Sequence, residues 1–567
     1  MKKIIFIIAI FSIIFFLGKS LNPFDNRMFV FHDETQPARI QQFTLNIKNL
    51  KIPPRIAPDF SFKLGYPVFN FYAQTPYWIT SAINIAGFDE VNSLKLSYIL
   101  ALIIAFLSVY LLLRCFFSFY SSVSGGIIYV SSLYFAIDIL IRGNLAETWF
   151  LTIFPLALFS IYKHSKKPSL EFFIANTTIL AILFTTHNLL SLLSLPVILV
   201  FILFVSEKKR NILSLITSIL LNAYFFIPLF SEMYLTYSSQ VARIVKYKDH
   251  FLCPLQLWQS KEWGFGGSIP GCNDTMPFKL GKPQVVLFIF GIVFFIYKII
   301  RKIINKKYNG INKEKITLGI FFILLTFGSL FLTTFYSKFL WDMFSPLSSI
   351  IQFPWRFIAF SLIGITFLIT LFLDSLSSKA NYRNILILLI AFAVLYTNSK
   401  YFIRQPGEKT KFEHQYLSNK YIQEKAAYRV AEYLPKTADY TFWRSIDPEK
   451  NKKYIKTFNY NLPLEYVKIN ELIINDNSKF KKSFFIDSKQ EIKLNIHYFP
   501  YWKIYINNVY YEPSSLDKLG RPIILLKKPS NIKVVYRQTL MEKIGNIISI
   551  VTFISLLLIL NRKYGKE

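Results

Sequence analysis

The stretch VFHDETQPARI (residues 30–40) gathers an imidazole, two carboxylates and a guanidinium: His32, Asp33, Glu34 and Arg39. A carboxylate within hydrogen-bond reach of a hydroxyl can take its proton as the oxygen attacks. A neighbouring cation can hold the charge of a departing group. Four more short clusters could share that work. IRGNLAETW (141–149) carries Arg142 and Glu147, and TTHN (185–188) carries His187. QLWQSKEWGFGGSIPGCNDTMPFKLG (256–281) is rich in Gly and Trp and holds Trp263 and Asp274, while IQFPWRF (351–357) brings Arg356. Each cluster has a plainer alternative. Charges at helix ends can be solvated or snorkelling, Arg142 and Glu147 can pair with each other, and His187 can be a satisfied polar residue. WGFGGS lacks the Gly-Lys-Ser/Thr that completes a phosphate-binding P-loop.

The 567-residue chain that must position these clusters is 53% hydrophobic. Its apolar runs of about 17–22 residues can cross a bilayer core at about 1.5 Å per residue. They show no strand-like alternation, so the fold expected is mainly α, a polytopic transmembrane bundle. The first run, Ile4–Leu17, lacks a small-residue cleavage site behind it and reads as a retained helix. Further helices are expected near 94–113, 119–137, 146–162, 170–186, 188–205, 212–230, 284–300, 316–334, 355–374, 383–400 and 543–560, about twelve in all.

A net charge of +32 would suit nucleic acid. The Lys and Arg residues instead gather at Lys163–Lys167, Lys208–Arg210, Lys298–Lys315 and Arg562–Lys566. That is positive-inside placement, with anionic membrane lipids as counter-charge. Nucleic acid is not expected as a partner. The pattern puts both termini in the cytoplasm and segments 20–92, 232–283, 335–354 and 401–542 outside. Every candidate cluster then falls on the outer face. Cys253 and Cys272 share one outer loop, which permits a disulfide without requiring one.

The division expected is a membrane domain over 1–400, an outer β-rich domain over 401–542, and a final helix with a cytoplasmic tail over 543–567. The outer domain reads as α/β or a β-sandwich. Its beginning, QPGEKTKFEHQYLSNKYIQEKAAYRVAEYLP, is polar and partly helical, and its end alternates Ile, Val and Tyr around turn signals at Asn507-Asn508 and DKLG (517–520).

No nucleotide is available outside the cell, so an activated group must reach such a site on a lipid carrier. HDE…R after the first helix, GYPVFNFYAQTPY, RGNLAE, THN, QLWQS…WGFGGSIPG and QFPWRF together resemble the bacterial membrane-protein family called 6-pyruvoyl-tetrahydropterin synthase-related. That family groups with the GT-C glycosyltransferases. The resemblance spans most of the chain in matching order. It implies a GT-C-like bundle in the bacterial cytoplasmic membrane. It also implies sugar transfer from a polyprenyl-phosphate donor to a glycan or glycolipid acceptor, which the outer domain would grip.

In such an enzyme Asp33 would be the base or a metal ligand, with Glu34 and Glu147 as further catalytic carboxylates. His32, Arg39, Arg142, His187, Trp263 and Arg356 would bind substrate. Asp33 and Glu147 would hold Mg2+ or Mn2+, since hard oxygen ligands suit these ions. The family often spaces two acidic residues by one; here Asp33 and Glu34 are adjacent, and adjacent side chains on an extended segment point apart. Despite the family's name no pterin is expected: the six histidines, His32, His164, His187, His250, His414 and His497, are scattered. Two rivals are a lipid-linked-oligosaccharide flippase and a non-enzymatic envelope assembly factor. Against the flippase, no charge lies at mid-depth in the expected helices, where a transported headgroup would need partners.

The topology makes a direct prediction. A cysteine introduced at Lys51 should react with a membrane-impermeant maleimide added to intact cells, and protection from the outside would invert the assignment.

Overall fold

The computed structural model describes residues 2–242, 244–260, 263–264, 266–305, 310–376, 381–403, 410–446, 459–466 and 472–564. The QPGEK opening of the C-terminal region and the last three residues of the tail lie outside them.

All twelve segments expected to be helical are helices. Eight are long and apolar enough to cross a membrane: Glu90–Leu113, Phe119–Arg142, Leu145–Lys166, Lys282–Ile304, Lys313–Thr333, Pro354–Leu376, Tyr382–Ser399 and Leu540–Arg562. Lys208–Leu221 and Ala223–Leu235 would together make a ninth, bent by 66°. Asn222 lies at the bend, and its amide donates to the Ala181 carbonyl at 2.8 Å. The other three, Lys2–Leu17, Leu170–Phe184 and Asn188–Phe204, run to 16, 15 and 17 residues. Among the described residues eight or nine helices thus have spanning length, fewer than the twelve or so expected.

Between the first helix and the first full span, residues 18–89 fold as a buried platform on one end of the bundle. It contains helices α1 (Gln36–Lys48) and α2 (Thr75–Ile85). Phe43, Phe69 and Tyr77 are buried and meet ring to ring, with centroids 5.0–5.8 Å apart.

The C-terminal β-sheet domain stands on this platform. Its strands are β1 (Leu464–Tyr466), β2 (Leu472–Ser478), β3 (Lys481–Ile486), β4 (Glu491–Leu494), β5 (Trp502–Ile506), β6 (Val509–Tyr511), β7 (Ser515–Leu516), β8 (Pro522–Leu525) and β9 (Ser530–Tyr536). They form two antiparallel sheets, ordered β2-β3-β9-β5-β6 and β1-β4-β8-β7. Asn507 and Asn508 turn the β5–β6 hairpin with φ of 48° and 66°, the left-handed pair that a two-residue hairpin needs. Alternate residues of β9 (Ser530, Ile532, Val534 and Tyr536) are buried, as a one-faced strand requires.

Two contacts seat the domain, and a third, through Arg55, ties the platform to the membrane helices. Ser61, Phe62 and Lys63 are held at φ of 55–61°, and the Phe62 N–H donates to the Gln423 carbonyl at 2.5 Å. The Ser61 hydroxyl meets His497 Nε2 at 2.7 Å and accepts from the Trp443 indole at 2.9 Å. Arg55, fully buried, donates to Asn70 at 2.9 Å, to the Tyr224 carbonyl at 2.7 Å and to Asn546 of the last helix at 3.1 Å.

Arg55→Ala would remove three hydrogen bonds, one to a buried and two to half-buried acceptors, and should destabilise the protein by about 3 kcal/mol. Lys, lacking the planar fork, should not restore it. A melting temperature in detergent within a degree of wild type would contradict this.

Candidate functional site

The His32 N–H donates to the Ile141 carbonyl at 3.0 Å, and the Asp33 N–H donates to the Arg142 carbonyl at 2.8 Å. The platform is thereby stitched to the end of the span Phe119–Arg142. That span closes in a wide π-type turn over Ile137–Arg142, a feature often found at functional sites. Gly143 follows at φ 63°, and a Cβ there would sit 2.0 Å from the Phe31 ring. A residue without a side chain is required at this crossing.

Asn144 then caps the next helix, its side-chain oxygen accepting the Glu147 N–H at 2.9 Å. This places Glu147 beneath Arg142. The Arg142 guanidinium pairs with Asp138 and with Glu147 at 2.6 Å, and it lies 4.6 Å from the Trp355 ring centroid. Glu147 also accepts from the Tyr134 hydroxyl at 2.5 Å and from Asn144 at 3.4 Å. The pairing of Arg142 with Glu147 that RGNLAE permits is present, with Asp138 as a third member.

Asp33, Arg39, Arg142, His187 and Arg356 all line one cavity of about 930 Å3, with His32 at its wall. Arg39, on the first turn of α1, donates to the Tyr77 hydroxyl at 3.2 Å and lies over the Tyr72 ring at 4.9 Å. Arg356 donates to the Ile351 carbonyl at 3.1 Å and stacks on Phe353 at 4.9 Å. The Nε atoms of both arginines are buried with no acceptor among the described residues. His187 Nδ1 accepts the Leu190 N–H at 3.1 Å, which leaves Nε2 of a neutral ring to carry the proton. Burial raises the Asp33 carboxyl above its ordinary value, although Arg39, Arg142, His32 and Arg356 pull the other way. Burial also lowers the His32 imidazole, opposed by Asp33.

The cavity is polar at this end and apolar at the other, where Leu192, Leu195, Ile219, Phe226, Leu229 and Phe230 form the wall. Of these, Leu192, Ile219 and Phe230 are exposed.

The remaining candidates lie elsewhere. Glu34 turns from the cavity and pairs with Arg429 at 3.0 Å. Trp263 packs on Tyr401, with ring centroids 5.1 Å apart. Asp274 braces its own loop by accepting from the Ile269 N–H at 2.7 Å and from Gln256 at 3.0 Å. The same loop is closed by a disulfide between Cys253 and Cys272. Among the described residues no group of three or more His, Cys, Asp or Glu side chains could hold a metal ion. Glu147 fits a metal poorly on chemical grounds, because Arg142, Tyr134 and Asn144 already use its oxygens.

Several wall residues were not anticipated from sequence, among them His250, Arg429, Glu432 and Tyr433. His250 Nδ1 meets the Ser268 hydroxyl at 3.0 Å. The last three come from the segment just ahead of the β-sheets, whose polar, partly helical sequence carries no site pattern.

No protein-family model matches this chain, and no curated protein matches it. Among solved structures it is similar to the oligosaccharyltransferase AglB from Archaeoglobus fulgidus in complex with an inhibitory peptide and a dolichol-phosphate. Identity is 14%, coverage is 72% of this chain and 56% of that one, and the TM-score is 0.42. It is also similar to the mycobacterial arabinofuranosyltransferase AftD, at 12% identity over 71% of this chain and 28% of that one, with a TM-score of 0.41. The chain thus spans little more than half the length of the first and under a third of the second.

Gly143→Ala tests the crossing that positions Asp33. A left-handed alanine and its overlap with Phe31 together should cost about 2 kcal/mol or more. The expected readout is a lowered melting temperature, relieved in part by Phe31→Ala.

Proposed function

We propose that this chain is a membrane glycosyltransferase of the GT-C type, working on the outer face of the bacterial cytoplasmic membrane. It moves a sugar from a polyprenyl-phosphate donor to a hydroxyl of a cell-envelope glycan or glycolipid. The observation that carries the reading is the single two-ended cavity. Its lining joins Asp33 and several cations to a set of apolar helix residues, Leu192, Ile219 and Phe230 among them, that are exposed. A donor made of a phosphate and an isoprenoid chain has matching halves.

In the reaction the acceptor oxygen attacks the anomeric carbon and forms the new glycosidic bond. The bond from that carbon to the phosphate oxygen breaks, and its electron pair leaves on the polyprenyl phosphate. Asp33 receives the acceptor's proton. The unsatisfied N–H groups of Arg39 and Arg356, with Nε2–H of His187, meet the charge growing on the leaving phosphate. Arg142 is held by two carboxylates, so its part is to fix the carbonyl on which Asp33 hangs. Glu147 and Asp138 position Arg142. The donor set does not fit Mg2+ or Mn2+ at Asp33 and Glu147, and no step here runs through a metal.

Purified protein in proteoliposomes should release polyprenyl phosphate from polyprenyl-phosphate pentoses or hexoses. Asp33→Asn should slow that release by about 10²–10⁴-fold with expression unchanged. The rate should fall as pH drops through the raised pKa of Asp33, on an acid limb above the ordinary aspartate range, and the variant should lack that limb. Arg356→Ala should weaken polyprenyl-phosphate binding about tenfold or more. Release unaffected by Asp33→Asn would remove the base, and an undiminished affinity in Arg356→Ala would remove the phosphate site.

A further inference from the structure

The cavity has a second carboxylate. Glu432, from the C-terminal region, lines it close enough to Asp33 and Arg39 to interact electrostatically with both. Its position follows from a kink. Residues Ala426–Tyr433 run as tight helical turns until Val430, which leaves helical geometry at φ −132° and ψ 44°. The Val430 carbonyl accepts from the buried Tyr66 hydroxyl at 2.7 Å, which pins the kink to the platform. Glu432 and Tyr433 then face the cavity, with the Tyr433 ring edge-on to Tyr72 at 6.3 Å.

Apart from its own backbone N–H, no protein donor or cation within ion-pair distance meets the Glu432 carboxylate among the described residues. A half-buried carboxylate in such surroundings gives up part of its solvation, and its own backbone N–H and the Arg39 charge are what the protein returns. A second acid beside Asp33 adds repulsion. Neither cost has a structural purpose here: the turn is already held by Tyr66, and Glu432 braces nothing. Neighbouring sugar hydroxyls would supply two donors to one carboxylate, and tyrosine rings at its side suit the C–H faces of a sugar ring.

We infer that Glu432, with Tyr433 and Tyr72, forms a sugar-binding subsite on the β-domain side of the cavity, and that Glu432 selects the ring held opposite Asp33. This rests on the glycosyl-transfer reading and adds the residue that chooses the acceptor. Selection then belongs to the C-terminal region, while the lipid phosphate is handled by Arg39, Arg356 and His187.

The test uses the full-length protein in lipid nanodiscs with two kinds of probe. One is a panel of methyl pyranosides and furanosides followed by saturation-transfer NMR. The other is polyprenyl phosphate alone, followed by intrinsic fluorescence. Glu432→Ala should weaken binding of the glycosides that wild type recognises by tenfold or more. The isosteric Glu432→Gln should weaken it less, and both should bind polyprenyl phosphate within twofold of wild type. That retained phosphate affinity is what a merely folding-related defect would not give. Glycoside binding unchanged in both variants overturns the subsite. So does wild type that binds polyprenyl phosphate but no glycoside, and so does glycoside binding that disappears with EDTA, which would make Glu432 a metal ligand. Wild type that binds neither probe sinks the glycosyl-transfer reading itself.

Discussion

Two backbone hydrogen bonds, from His32 and Asp33 to the carbonyls of Ile141 and Arg142, hold the architecture of the site together. They join a segment outside the bundle to the end of a membrane-length helix, and they do so through main chain, where no side-chain rotamer can drift. Everything else at the polar end refers back to that join. The left-handed Gly143 lets Phe31 come close enough for it to form. Asp138, Glu147 and Asn144 immobilise Arg142, whose carbonyl is one half of it.

The electrostatic layout has a consequent logic. Arg142 spends its charge on two fully buried carboxylates and stabilises structure. Arg39 and Arg356 spend theirs on tyrosines, a carbonyl and aromatic faces, and keep donor capacity for something else. Burial pushes the Asp33 carboxyl up, and Arg39, Arg142, His32 and Arg356 pull it back down.

Hydropathy placed every long helix, because a bilayer demands apolar length and little else competes with that signal. Residue-level roles were legible where local geometry decides them. The short turn from Arg142 to Glu147 and the Asn-Asn hairpin are both local, whereas Asp138, one helical turn before Arg142, was not anticipated as its partner. The rest depended on contacts hundreds of residues apart. Glu34 sits beside the key aspartate in sequence but is drawn aside by Arg429, and Trp263 follows Tyr401. Glu432 gave no sign of itself, since its direction is set by a kink that a tyrosine from the platform holds. Strand β2 was less legible than the closing strands because it is exposed along much of its length, without a buried alternate face.

Arg55 couples parts of the protein that lie far apart in the chain. It belongs to the platform, yet it donates to the Tyr224 carbonyl, 169 residues away, and to Asn546, 491 residues away in the helix Leu540–Tyr564. One guanidinium thus fastens three separate segments, so the platform and these two helices should loosen together rather than one at a time.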